Sequence, residues 1–172
     1  MKLQSLLIAA VLALLVQGAV FGQAESAQTW NRRGIEYYNQ GNYTRAIECF
    51  LEAKAIQENT IGTEHPDYAQ SLNNLGGLYI TMGDYSQAEQ YFLESIAILE
   101  RVLGREHPHY ATSLNNMGSM YRTMGDFSRA EQYFLESITI RERILGREHP
   151  DYTTSLNNMG LLYNNMGDFS RA

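Results

Sequence analysis

Apolar and polar residues alternate along most of this chain in a pattern that repeats every 42 residues. Within residues 67–108, apolar side chains twice follow the three- and four-residue spacing of a helical face. The first stripe comprises Tyr68, Leu72, Leu75, Leu78, Tyr79 and Met82. The second comprises Tyr85, Ala88, Tyr91, Phe92, Ile96, Leu99, Val102 and Leu103. The pattern therefore predicts two helices in every block.

Residues that favour turns separate the two stripes. Gly83 and Asp84 follow the first stripe, and glycine is favoured just past a helix end while aspartate caps the next helix. Gly104 follows the second stripe, and Pro108 opens the next block, since proline suits the first turn of a helix. Each block is predicted to be a pair of antiparallel helices with short joints.

The blocks are close copies of one another. Residues 67–108 and 109–150 are identical at 31 of 42 positions. A fixed period of this length is typical of proteins built from stacked repeats. We expect units at residues 25–66, 67–108 and 109–150, and an incomplete unit at 151–172 that holds only its first helix. Because the last unit would lack its second helix, we interpret the chain as a truncated product.

Small residues recur where the two helices of a block should cross. Glycine in the middle of a helix costs about 1 kcal/mol relative to alanine, so its recurrence requires a reason. The pairs are Gly34 with Ala46, Gly76 with Ala88, and Gly118 with Ala130. The spacing predicts close backbone approach in each hairpin, beside the rings of Phe50, Phe92 and Phe134.

These residues resemble the tetratricopeptide repeat (TPR). The pattern is carried in the first unit by Trp30, Gly34, Tyr37, Ala46, Phe50 and Ala53. The 42-residue length and the phrase Glu-His-Pro-Asp-Tyr…Ser-Leu-Asn-Asn resemble the kinesin-light-chain-like subclass, which is abundant in bacterial proteins. The resemblance implies an all-α fold, a right-handed α-solenoid of stacked helix-turn-helix repeats. It also implies a concave groove, lined by the first helices, that binds protein or peptide.

The first 22 residues differ from the rest of the chain. Lys2 is their only charge, the stretch from Leu6 to Val16 is apolar, and small residues follow it. One cation, a short apolar core and a small-residue exit are typical of a secretory signal peptide. We predict a signal peptide over residues 1–22 and export to the periplasm or the extracellular space, with no membrane attachment after cleavage. The alternative is an uncleaved membrane anchor.

The net charge bears on the class of binding partner, and the cysteine content bears on whether a disulfide stabilises the fold. The formal net charge is −6, which argues against a nucleic-acid or anionic-membrane partner because both require a basic face. Cys49 is the only cysteine, so an intramolecular disulfide is excluded. We expect Cys49 to be a small core residue rather than a reactive thiol.

Asparagines recur on the first helices. Asparagine is a weak helix former, and its amide has donors and an acceptor that suit the main chain of an extended peptide. In similar TPR domains, asparagines at these positions contact the ligand's main chain. We predict that the groove floor comprises Asn31, Asn73, Asn74, Asn115, Asn116, Asn157 and Asn158. The alternative is that one asparagine of each pair bonds to the neighbouring repeat.

Positions one turn further along vary between units, and we expect them to provide specificity. One row is Gly77, Ser119 and Leu161; the next is Ile80, Arg122 and Asn164. Arg122 is the one predicted groove cation, and a solvated arginine is the alternative. Because no dense cluster of basic residues occurs in these rows, an acidic C-terminal tail is not the favoured ligand.

The repeated histidines are candidates for a metal site or for helix caps. His65, His107 and His149 would lie about 10 Å apart in successive repeats, whereas zinc ligands lie about 2 Å from one ion. Capping is therefore the prediction, with no metal and no cofactor. The sequence contains no catalytic triad or phosphate-binding loop motif, which indicates a binding scaffold and no enzyme.

Two alternatives to a free-standing scaffold stay open. The array resembles those that precede catalytic domains, and the first alternative is therefore the accessory region of a larger multidomain enzyme, for example a caspase-like peptidase. It would also self-associate if the last repeat leaves an apolar face uncovered.

Overall fold

The computed structural model describes residues 25–167, which form seven α-helices and no strand. The helices are α1 (Ala27–Asn39), α2 (Tyr43–Thr60), α3 (Pro66–Met82), α4 (Tyr85–Leu103), α5 (Pro108–Met124), α6 (Phe127–Leu145) and α7 (Pro150–Met166). The predicted all-α class is confirmed. The predicted signal peptide lies outside the described residues.

The turn between the two helices of a hairpin is formed by the glycine and the aspartate from which the sequence predicts it. Gly83 has φ 79°, the left-handed conformation that favours glycine, and its N–H donates to the carbonyl oxygen of Ile80 over 3.0 Å. Asp84 then accepts a hydrogen bond from the backbone N–H of Gln87 through Oδ1 over 3.1 Å. One glycine and one aspartate thus end one helix and begin the next.

The two helices of each hairpin cross where the sequence predicts. A Cβ atom added to Gly76 would lie 2.7 Å from Cε1 of Phe92, and one added to Gly118 would lie 2.8 Å from Cδ1 of Phe134. Both rings are fully buried. Each mid-helix glycine is therefore required by the phenylalanine of the opposite helix.

Side chains from neighbouring hairpins share the core. One cluster contains Tyr68 and Leu72 of α3, Leu99 of α4, Leu114 of α5 and Ile140 of α6. Each hairpin thus buries its apolar stripe against the next one, as in a solenoid whose repeats contact only their neighbours. Cys49 is buried in the first hairpin, as expected, and burial raises the pKa of its thiol.

The stack curves towards its first helices. Helix α3 touches α5, and α5 touches α7, whereas no two second helices come into comparable contact. First helices therefore lie closer together than second helices. The faces of the first helices that point away from the second helices form the concave side of the array, called the groove below.

Because the last unit holds only its first helix, the sequence predicts that Met159, Leu162 and Tyr163 of α7 are poorly protected, but the structure buries all three. These side chains are at most 6% exposed, because they pack against Met120 and Phe134 in a shared cluster. The uncovered face is a different one. Leu156 is 43% exposed, while Leu114, its equivalent in the preceding repeat, is 2% exposed beside Ile140 of α6.

A buried arginine joins α7 to the rest of the stack. Arg141 is 3% exposed and donates from Nη1 to the carbonyl oxygen of Asp151 over 2.7 Å and to Oγ of Ser155 over 2.8 Å. Its Nη2 donates to Oγ1 of Thr112 over 3.0 Å. Burial lowers the pKa of this guanidinium. Leu99 occupies the same position one repeat earlier, whereas Gln57, two repeats earlier, is also buried and donates from Nε2 to the carbonyl oxygen of Asp67 over 3.2 Å. The first and last interfaces therefore both have a buried polar contact at this position.

Candidate functional site: the concave face of the first helices

The two asparagines of a pair have different environments. Asn73 is 4% exposed and Asn115 is 6% exposed, whereas Asn74 and Asn116 are half-buried on the concave side. Neighbouring residues of an α-helix point about 100° apart, so one side chain of each pair turns towards the next repeat. The other turns towards the groove.

Each inward asparagine forms a hydrogen bond with a serine of the following repeat, and Asn73 also binds a serine of its own repeat. Asn73 Nδ2 donates to Oγ of Ser113 over 2.6 Å and to Oγ of Ser95 over 2.8 Å. Ser155 Oγ donates to Oδ1 of Asn115 over 3.3 Å. These bonds place the amide groups of Asn73 and Asn115 between repeats, whereas both residues were predicted to lie on the groove floor. Asn73 also lines the groove cavity.

Asn31 and Asn157 occupy the same position in the first and last units. Asn31 Nδ2 donates to Oγ of Ser71 over 3.0 Å, so it belongs to the same inter-repeat row although it was expected on the groove floor. Asn157 is exposed, since no further described helix lies beside it. The row Asn31, Asn73, Asn115 is thus part of the stacking interface, which is the alternative that the sequence left open.

The outward asparagines remain candidates for ligand contact. Asn74 and Asn116 both line a cavity of about 270 Å³ on the concave side. Asn74 Oδ1 accepts a hydrogen bond from Nε2 of Gln70 over 3.3 Å, and the two side-chain N–H groups of Asn74 have no hydrogen-bond partner among the described residues. Asn158 is half-buried and donates through Nδ2 to Oδ1 of Asn115 over 3.1 Å. The amides of Asn74 and Asn116 are therefore the ones placed for a ligand.

The cavity extends over the first three repeats. Its lining comes mostly from α1, α3 and α5, and its floor from two phenylalanines of second helices. The lining residues are Ile35, Tyr38, Phe50, Asn73, Asn74, Gly77, Leu78, Ile80, Phe92, Asn116 and Ser119. None of these side chains is charged. The cavity therefore suits an uncharged group, because burying an unpaired charge is costly.

The variable rows fall partly within this cavity. Gly77, Ile80 and Ser119 line it, whereas Leu161 is 48% exposed on α7 beyond it. Arg122 does not line the cavity, and its Nε atom is buried without a hydrogen-bond partner among the described residues. Arg122 is thus a half-buried side chain beside the groove rather than an ionic contact at its centre.

The histidines cap helices, as predicted. Nδ1 of His65, His107 and His149 each accepts a hydrogen bond, over 3.1 Å, from the backbone N–H two residues later. Burial and the nearby His109 lower the pKa of His107. Within residues 25–167, no cluster of three or more His, Cys, Asp or Glu side chains is arranged to hold a metal ion. No helix in that range combines the length and apolarity needed to cross a bilayer.

Two parts of the site were not predicted from the sequence. The serines Ser71, Ser113 and Ser155 accept or donate the inter-repeat bonds, and their signal was present as a constant spacing of 40 residues after Asn31, Asn73 and Asn115. The cavity floor, Phe50 and Phe92, was expected only as packing beside glycine. Their place beneath the cavity depends on how the hairpins are arranged in three dimensions.

Comparison with known proteins agrees with the fold. The tetratricopeptide repeat family matches residues 25–101, 82–143 and 110–172. BtubC (BKLC) from P. vanneervenii has a similar crystal structure, with 25% identity and a TM-score of 0.74 over 85% of this chain and 58% of that one. This chain thus spans less than two thirds of that neighbour. No curated protein is significantly similar in sequence.

Two further solved structures share the architecture. A Podosopora anserina chain with nearly identical TPR-like repeats of the kinesin light chain type is 23% identical, with a TM-score of 0.74 over 85% of this chain and 70% of that one. PilF of Pseudomonas aeruginosa is 19% identical, with a TM-score of 0.51 over 90% of this chain and 68% of that one. These likenesses concern the fold alone.

Proposed function

The chain belongs to the tetratricopeptide repeat family, and we propose that it is a scaffold that binds an extended polypeptide along the concave face of its first helices. The observation that supports this most is the pair Asn74 and Asn116. Each lies at the same place in successive repeats, on the edge of one uncharged cavity. TPR arrays generally mediate protein interactions.

The spacing of the repeats suits an extended main chain. Packed helices lie about 8–10 Å apart, and three residues of an extended strand span about the same distance at ~3.3 Å each. Amides in successive repeats can then bind every third main-chain group of the ligand. Such contacts hold a polypeptide without selecting its side chains, so affinity arises along the whole groove.

A displayed library of random 12-residue peptides, selected on the purified protein, tests the proposal. Binding of a selected peptide should shift the amide resonances of Asn74, Gly77 and Asn116 more than those of the second helices, α2, α4 and α6. The matched outer positions are Gln90 and Gln132, exposed amide side chains of α4 and α6 that are also 42 residues apart. Binders whose shifts cluster around Gln90 and Gln132 would refute a groove function.

Export and a larger parent protein are separate proposals. The apolar run before residue 22 supports export. The span of 58% of the BtubC chain is consistent with a longer array, and accessory repeats of a larger multidomain enzyme are the second candidate. Binding of peptide by this chain in isolation would show that the repeats function without such a domain.

A further inference from the structure

We infer that the cavity beside Gly77 is a side-chain subsite that receives one large, uncharged, apolar residue of the bound polypeptide; this inference rests on the proposed function. The subsite is this cavity, whose lining includes Tyr38, Gly77, Ile80, Ser119 and Phe92. It lies next to the amides proposed to hold the main chain.

The size and lining of the subsite indicate its occupant. At about 270 Å³ it has room for one large side chain and lies near the lower end of the ~300–1,000 Å³ range of small-molecule sites. Ile35, Leu78 and Ile80 make its walls apolar, and no lining residue is charged. A leucine or phenylalanine would bury its surface there, whereas lysine or glutamate would lose hydration without a partner.

Gly77 creates the space, and packing does not explain its presence. A Cβ atom on Gly76 would collide with Phe92, but one on Gly77 would meet no atom within 4 Å. Glycine inside a helix costs about 1 kcal/mol relative to alanine, so an unneeded glycine is unfavourable. The equivalent positions hold Ser119 and Leu161. The second repeat therefore lacks a side chain at the point where the cavity opens.

Capped peptides Ser-Ser-Ser-X-Ser-Ser-Ser, with X as Leu, Phe, Ser, Lys or Glu, test the subsite. Binding is followed by amide resonances of the protein. The Leu and Phe peptides should bind at least ten-fold more tightly than the other three and should shift Tyr38, Gly77 and Ile80. Gly77→Leu introduces the side chain of Leu161 and should abolish that preference.

The matched control is Ala97→Leu, which adds the same side chain at an exposed position of α4. It should bind the Leu peptide as the unaltered protein does, and circular dichroism should show both variants equally helical. Groove binding that is equal for all X, or a Gly77→Leu variant that keeps its preference, would overturn the subsite while leaving the scaffold function intact. If none of these peptides, and no library-selected peptide, perturbs the groove, both proposals fail.

Discussion

Asn73 Nδ2 donates a hydrogen bond of 2.6 Å to Oγ of Ser113, across the boundary between the second and third repeats. The same amide also reaches Ser95 of its own hairpin. Among the described residues, its neighbour Asn74 makes no hydrogen bond to another repeat, and it lines the groove cavity. Of these two adjacent asparagines, Asn73 thus stabilises the contact between repeats, and Asn74 is the one proposed to contact the ligand.

This division predicts different stability effects for the two asparagines. Asn73→Ala should lower the free energy of unfolding by about 1–3 kcal/mol, because it leaves buried serine hydroxyls with fewer partners. Asn74→Ala should leave it unchanged or slightly raised, since alanine is the better helix former. Thermal unfolding of the two variants checks this. Equal melting temperatures would contradict the inter-repeat role of Asn73.

The adjacent glycines Gly76 and Gly77 should respond in opposite directions. Gly76→Ala places a methyl group against Phe92 and should cost about 1–3 kcal/mol, as overpacking does. Gly77→Ala meets open space and should stabilise the protein by up to about 1 kcal/mol. Urea unfolding curves of both variants measure this. Stabilisation by Gly76→Ala would show that the two hairpin helices can separate without cost.

The cap at His107 predicts a pH dependence. Its Nδ1 accepts a hydrogen bond only when unprotonated, and burial lowers its pKa in the folded state below the ordinary histidine value of 6.5. A lowered pKa contributes stability that is present above pH 6.5 and is lost as the pH falls through the folded value. Between pH 7 and pH 5, the His107→Asn variant should therefore lose less stability than the unaltered protein, because an asparagine cap does not titrate. Equal losses would exclude His107 as a contributor.

The apolar run at the amino end predicts processing on export. Residues 1 to about 22 should be absent from protein recovered outside the cytoplasm, because the run is short and is followed by small residues. Intact mass measurement decides this. Recovery of the complete chain in a membrane fraction would instead favour the uncleaved anchor.

Local patterns in the sequence predicted most of the fold. The glycine–aspartate turns, the histidine caps and the close contacts of Gly76 and Gly118 all depend on residues that are near in sequence or fixed within one hairpin. Each of these patterns recurs every 42 residues, so the sequence shows it several times. These parts needed no information about how hairpins are placed relative to one another.

The incorrect expectations concern the placement of neighbouring hairpins. Asn73 and Asn74 differ only in direction around one helix, and which of them meets Ser113 depends on the position of α5. Likewise, Leu162 is covered and Leu156 is exposed because α6 lies on one side of α7. The apolar stripe marks both residues as core, but it does not show which neighbour is present.

The central claim is that the outward asparagines bind ligand and the inward ones hold repeats together. The most direct measurement is the affinity of a library-selected groove peptide for Asn74→Ala/Asn116→Ala, compared with the matched double variant Gln90→Ala/Gln132→Ala. We predict a loss of about 1–3 kcal/mol, roughly 5–150-fold, for the asparagine variant at an unchanged melting temperature, and no loss for the glutamine variant. Normal affinity in the asparagine variant, or a loss accompanied by a lower melting temperature, would contradict the claim.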